Sequence, residues 1–369
     1  MAPAPQNLKP LTALRFFAAV WVVGYHYWPA LTPAARPMWE NKGYLGVELF
    51  FVLSGFILSH VYLEAFGEKR LDYKGFIWAR LSRVYPLHLA TLIGLGALGL
   101  AAMAIGASTG DKLLVWSSLP AQFLMLQAWG LGQSGGWNHP SWSISAEWFA
   151  YLTFPAFAFA AWSLRNRPWL AVGLAAGLMI VLDAVFQRTA GFALTEATLR
   201  WGALRIVPCF ALGCATYLLW RAQPLRTARV AQAASALSVG AVAAAAALGA
   251  PDVLLVLLFG ALIYSLGSLS TAGSRRLTAP AWVWLGEVSF ALYMVCIPWL
   301  LVVTNGVRVA LHAPAEPLPV VFGVLLVAGV LPVAALAHHL IELPARKAMR
   351  KMSGFKLLSG APAATAPAA

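Results

Sequence analysis

Residues Leu11–Pro33 read LTALRFFAAVWVVGYHYWPALTP, an apolar run that carries an arginine near one end and a histidine near the other. About 20 apolar residues suffice to cross a bilayer core as a helix, and this run is long enough. If it is one helix, the eleven residues from Arg15 to His26 come within about 20° of three full turns, so both side chains share a face. Their Cα atoms then stand about 16 Å apart along the axis, roughly half a bilayer core. Ionisable groups inside an apolar span are costly and face a bundle interior or a wet cavity, so a shared face is what a functional role requires. The competing reading is a signal peptide or plain anchor in which Arg15 snorkels and His26 sits at the interface. No small-residue cleavage pattern follows Trp28, and a signal peptide leaves the other apolar runs unexplained. The segment is therefore read as a retained first span.

Composition supports that choice. The 369 residues are 60% hydrophobic and 11% charged, with a mean hydropathy of +0.73, whereas soluble domains carry about 25% charged residues. The chain reads as a polytopic membrane protein. Its net charge of +13 is accounted for by cytoplasmic loops and anionic lipid headgroups, which sets nucleic-acid binding aside. Cys209, Cys214 and Cys296 lie in apolar stretches without CxxC spacing, so they read as packing residues and indicate neither a disulfide framework nor a zinc site.

Loop charge sets the topology. The connection EAFGEKRLDYKGFIWARLSRVYP holds Lys69, Arg70, Lys74, Arg80 and Arg83, and the positive-inside rule makes it cytoplasmic. Residues 113–131 are interrupted by Pro120, Gln122 and Gln127 and are read as a short re-entrant or interfacial segment. Most of the 26 basic residues then fall inside. The expected fold is an all-α polytopic membrane protein with ten transmembrane helices and both termini cytoplasmic. The spans are 12–31, 44–63, 85–106, 143–163, 168–187, 200–220, 229–249, 251–269, 281–303 and 317–340. Residues 1–10 form a cytoplasmic lead, 11–345 a single transmembrane domain, and 346–369 a basic and then Ala/Pro-rich disordered tail. Neither a second soluble domain nor an internal duplication of the kind that marks secondary transporters is visible.

On this topology His26, Glu48, Ser143, Ser145 and Glu147 lie at one outer depth and are expected to meet in a single site. Ser143 and Glu147 are i, i+4 on one helix face. A histidine beside a carboxylate is poised as a general base, the carboxylate orienting the ring; the alternative is a structural His26–Glu147 pair. Gly43, Gly46 and Gly55 read as close-approach positions. Arg80 and Arg83, i and i+3 on a short helix expected to end near Pro86, suit either a phosphate ligand or a lipid-headgroup anchor. His139, in the external loop, is a candidate lid or substrate contact. His338 and His339 point about 100° apart on a helix, which is poor chelating geometry, and no metal is expected.

Arg15 and His26 with the runs GVELFFVLSGF, RLSRVYP, WSISAEWFAY, EVSFALYMVCIP and IELPAR, in this order from Leu11 to Arg346, resemble the acyltransferase-3 family of integral membrane O-acyltransferases. The resemblance implies a ten-helix enzyme of the cytoplasmic (inner) membrane. Such an enzyme moves an acyl group, usually acetyl, from cytoplasmic acyl-CoA to a hydroxyl of an extracytoplasmic or lipid-linked acceptor, often a sugar or glycolipid. It implies that Arg15 and His26 are the essential pair and that Arg80, Arg83, Trp142, Ser143, Ser145 and Glu147 are motif residues. One departure follows Ser289, Phe290 and Tyr293, where Cys296 stands near a position that is histidine in many relatives. With no attached hydrolase-like domain, the chain looks like a stand-alone member. The expected mechanism has His26 as base, oriented by Glu147 or Glu48, and Arg15, Arg80 and Arg83 holding the CoA phosphates. Trp39, Trp137 and Trp142 suit stacking on a sugar. The rival reading is a proton-coupled transporter or flippase using the same intramembrane Arg, His and Glu.

Overall fold

The computed structural model describes residues 8–104, 113–130, 136–272, 275, 277–311 and 317–352. The lead 1–7, Arg276, part of the tryptophan- and glycine-rich loop, and the Ala/Pro-rich tail from 353 lie outside the described residues. The described residues are helical, with no strand among them.

Helix α1 (Lys9–Leu31) starts with a proline in its first turn, where the missing N–H costs nothing. A short α2 (Met38–Asn41) and a 3-10 turn at Gly43–Leu45 lead into α3 (Gly46–Gly67). Helix α4 (Tyr73–Ala104) begins where Asp72 Oδ1 accepts the Gly75 amide at 3.0 Å and runs on through Pro86 for 32 residues. The helix expected to end near Pro86 therefore does not end there. A proline removes one ladder bond, which neighbouring helices in a bundle tolerate, and Arg80 and Arg83 sit on the early turns of a long rod. Residues 113–130 form only a 3-10 turn and a five-residue helix α5 (Leu119–Phe123), about 8 Å long and too short to cross a membrane.

The remaining elements are α6 (Ser141–Leu152), α7 (Phe154–Ser163), α8 (Pro168–Ala190), α9 (Gly202–Ala222), α10 (Ala228–Ala247), α11 (Asp252–Thr271), α12 (Pro280–Leu311) and α13 (Val320–Ala337). A π turn at His338–Glu342 then leads into α14 (Leu343–Met352). Eight of the described helical stretches are long and apolar enough to cross a membrane. Helix α1 and the α6–α7 pair, broken at Thr153, occupy the other two segments that the sequence assigns as spans.

Residues 346–352, expected to open a disordered tail, are instead helical. The basic segment to Met352 is helix α14, docked on α4 by a bond from Trp78 Nε1 to the Met349 carbonyl at 2.8 Å. Helices α3 and α9 run parallel at very close range. A methyl at Gly55 would overlap the Phe210 carbonyl oxygen, and one at Gly213 the Val52 carbonyl oxygen. Gly46 meets the Ala18 carbonyl of α1 in the same way, and Gly286 of α12 meets that of Thr12. These small-residue seams let backbones touch where lipid supplies no hydrophobic drive for helix association. Near the far end of α1, Tyr27 donates to the Cys296 carbonyl at 2.9 Å, and Cys296 is fully buried.

Candidate active site

Helices α1 and α3, the early turns of α4, and residues of α6, α12 and α14 enclose a cavity of about 270 Å³. Its lining carries five guanidinium side chains: Arg15 from α1, Arg80 and Arg83 from α4, and Arg346 and Arg350 from α14. Glu147 of α6 is the carboxylate among the lining residues. It accepts from Ser54 Oγ of α3 at 2.9 Å and from the Tyr151 hydroxyl one turn on. Val47, Phe50, Phe51 and Leu58 of α3 form much of the apolar wall; Val47 and Leu58 are about 16 Å apart along that helix. The cavity is thus positively charged at one end and apolar along its length.

Two hydroxyls line the end away from the arginine cluster. Ser143 Oγ lies 2.8 Å from Tyr293 Oη, and both reach the Pro140 carbonyl, at 3.0 and 2.9 Å. His139 precedes Pro140 and is exposed. Its pKa is nonetheless pushed down to about 4, first by protein atoms displacing solvent around it and then by the neighbouring His26 and Arg205. His26 is partly buried and lies beyond this end, not in the cavity lining. Its Nδ1 sits 2.8 Å from the Val22 carbonyl. That contact places the ring proton on Nδ1 and leaves Nε2 with a lone pair.

The expected cluster is therefore divided. Ser143 and Glu147 share the cavity with Arg15, Arg80 and Arg83, whereas Glu48 does not contact His26. Glu48 is fully buried against Arg205 of α9, whose Nη1 also donates to the Ala197 carbonyl at 2.9 Å. The guanidinium lies 4.5 Å over the Trp142 ring. The parallel α3–α9 packing brings Arg205 to the depth of Glu48, and a buried carboxylate gains far more from a cation than from a neutral imidazole. Backbone, not carboxylate, fixes the His26 ring. Trp142 thus packs on an ion pair. Ser145 Oγ ties Met125 O, at 2.8 Å, and Ala128 N, at 3.0 Å, to α6, which anchors the 113–130 segment. Trp39 is exposed beside α1, while Trp137 is buried with its Nε1 bonded to the Val115 carbonyl at 3.0 Å.

Sequence reasoning passed over Arg205, Arg346 and Arg350. Arg205 is a lone cation within the apolar run GALRIVPCF, a signal that could have flagged it. Arg346 and Arg350 were assigned to a tail. Among the described residues, no group of three or more His, Cys, Asp or Glu side chains is placed to hold a metal ion.

Residues 9–339 match the model of the acyltransferase-3 family, described as an acyltransferase domain. The chain belongs to the acyltransferase-3 family. Acyltransferase MdmB of Streptomyces mycarofaciens is 28% identical over 322 residues, covering 80% of this chain and 79% of that protein. The provisionally named peptidoglycan O-acetyltransferase YrhL of Bacillus subtilis is 24% identical over 237 residues, 60% of this chain but 34% of YrhL. O-acetyltransferase OatA of Staphylococcus aureus is 31% identical over 87 residues, 23% of this chain and 13% of OatA. No solved structure matches. As an acyltransferase-3 member the protein is an acyltransferase, and its apolar helices make it a multi-pass membrane protein.

Proposed function

We propose that this enzyme transfers an acyl group, acetyl in the first instance, from cytoplasmic acyl-CoA to a hydroxyl of an extracytoplasmic or lipid-linked acceptor, with a carbohydrate as the favoured class. One observation carries the reading: a single cavity has an arginine cluster at one end, an apolar wall about 16 Å long, and a serine–tyrosine hydroxyl pair at the other. That sequence of surfaces suits phosphates, a pantetheine arm and a thioester in turn. The topology with ten crossings and both termini cytoplasmic puts the arginine end inside. The peptidoglycan named for YrhL supports a sugar acceptor.

In this scheme Arg15, Arg80 and Arg83 hold the donor phosphates by charge-assisted hydrogen bonds. His26 Nε2 takes the acceptor hydroxyl proton as the acceptor oxygen attacks the thioester carbonyl carbon. The carbonyl electrons move to oxygen, where the Ser143 and Tyr293 hydroxyls are the donors at hand. The intermediate collapses with cleavage of the carbon–sulfur bond, and the CoA sulfur leaves with the proton returned from His26. Glu147, held by Ser54 and Tyr151, supplies a negative charge that favours the Arg15 guanidinium from within the cavity.

The test is thiol release from acetyl-CoA by protein in lipid nanodiscs, with pooled sugar-lipid acceptors and no-acceptor controls, comparing wild type with His26→Ala and Arg15→Ala. Release that is lost in both variants, with acetate recovered on an acceptor, is the expected result. Full turnover by His26→Ala overturns the base assignment, and counterflow of an unmodified solute overturns the enzyme reading in favour of transport.

A further inference from the structure

The arginine cluster contains more charge than a diphosphate needs. Five guanidiniums face one cavity against the single carboxylate of Glu147 in its lining. A diphosphate carries roughly two negative charges and leaves about half of that excess unmatched, whereas an added phosphomonoester contributes about −1.5 to −2 more. Arg346 and Arg350 come from a different element from the rest. They are i, i+4 on α14, so one face presents both to the cavity, while Lys347 and Lys351 are exposed on the other side. The helix is held against α4 through the Trp78–Met349 bond, close to Arg80 and Arg83. Behind Arg346, Glu342 is fully buried; its Oε2 is 2.7 Å from His338 Nδ1 and its Oε1 3.8 Å from Arg346 Nη1. On the adjoining turns of α4, Arg80 Nε is buried with no protein partner among the described residues. Two arginine pairs thus lie side by side at the mouth, one anchored from behind and one with an unfilled donor.

We infer that α14 forms a separate phosphomonoester site, in which Arg346 and Arg350 grip the 3′-phosphate of the CoA ribose while Arg15, Arg80 and Arg83 hold the diphosphate. The assignment rests on the acyl-CoA reading above. It follows from the order of groups along the donor: counted from the thioester, the diphosphate comes before the 3′-phosphate. Arg15 lies deeper in the bundle, and α14 has no fully buried residue and forms the rim. The α14 pair is therefore the specificity determinant for CoA over donors that lack the 3′-phosphate, with Glu342 as its positioning residue.

The experiment measures equilibrium binding of CoA and of 3′-dephospho-CoA to the full chain, in nanodiscs of zwitterionic lipid and again with anionic lipid added. Wild type is expected to bind CoA at least about tenfold more tightly than dephospho-CoA, the scale of one lost charge-assisted contact. Arg346→Gln/Arg350→Gln should bring CoA down to the dephospho-CoA level while leaving dephospho-CoA binding unchanged, which also shows that the variant is folded. Arg346→Lys/Arg350→Lys should keep part of the preference, and Arg80→Gln/Arg83→Gln should weaken both ligands. A CoA preference that survives the α14 glutamines, or an equal fall for both ligands, overturns the inference while leaving the donor reading intact. So does an effect of the glutamines confined to retention of anionic lipid. Wild type that binds neither ligand overturns the donor reading itself, and this inference with it.

Discussion

Replacing Glu48 with glutamine tests the division of the site most directly. The pair with Arg205 is almost wholly withdrawn from solvent, with side-chain exposures of 0% for Glu48 and 3% for Arg205. Breaking a buried pair from one side leaves an uncompensated charge and costs about 3–5 kcal/mol. The neighbouring Ala197 carbonyl and Trp142 ring hold the guanidinium in place but cannot neutralise it. Glu48→Gln should therefore lower the thermal midpoint by about 4–6 °C, read by the loss of monodisperse protein on heating in detergent. Glu48→Leu/Arg205→Met removes both charges and keeps the packing volume, so it should recover most of that loss. If Glu48 orients His26 directly, the double variant would be stable yet inactive. If its role is the ion pair, activity returns with stability. An unchanged midpoint in Glu48→Gln refutes the energetic argument, and a stable, inactive double variant refutes the structural assignment of Glu48.

Gly213→Ala places a methyl onto the Val52 carbonyl oxygen; it should cost about 1–3 kcal/mol and lower the yield of folded protein, whereas Gly240→Ala, which meets nothing, should be silent in the same assay. Glu40 is buried against Gly24 of α1 with Oε1 unpartnered among the described residues, and burial lifts its carboxyl from the ordinary 4.5 to about 7 despite the pull of Arg36. The folded state then binds the proton more tightly than the unfolded chain, so this group's contribution to stability is full below pH 4.5 and is lost as pH rises through 7; Glu40→Gln should flatten a melting profile recorded between pH 5 and 8, and an unaltered slope would contradict the assignment. Ser143→Ala and Tyr293→Phe should each reduce turnover about tenfold or more at saturating donor while leaving CoA binding intact; unchanged turnover would remove the hydroxyl pair from the chemistry.

Much of the architecture could be read directly because apolar runs and loop charge report on the bilayer and do not depend on tertiary partners. The glycines of GVELFFVLSGF were legible for the same reason: a small residue in a span has few uses beyond close approach, and Gly46 and Gly55 meet backbone carbonyls. The common face of Ser143 and Glu147 was legible too, since their i, i+4 spacing does put both in one cavity. Partnership within a layer was not. Depth alone cannot tell whether Glu48 turns toward α1 or α9, because that depends on helix rotation and on a cation, Arg205, that lies 157 residues further along the chain. The reach of α4 through Pro86 was missed because local propensity was weighed without the surrounding bundle. The α14 arginines were missed because a basic run after the last span looks the same whether it is solvated or folded back.

The π turn at His338–Glu342 makes the phase of the last helix a property of chain length. One extra residue per turn rotates everything downstream by about 100°. Because the π turn absorbs one residue, deleting a single residue there with a return to regular α-helical winding would keep Arg346 and Arg350 turned toward the cavity, whereas losing the bulge without losing a residue would swing both off it. Spacing between the last span and its arginines is thus a constraint separate from residue identity, and a one-residue deletion inside the π turn should be better tolerated than one in the regular turn that follows.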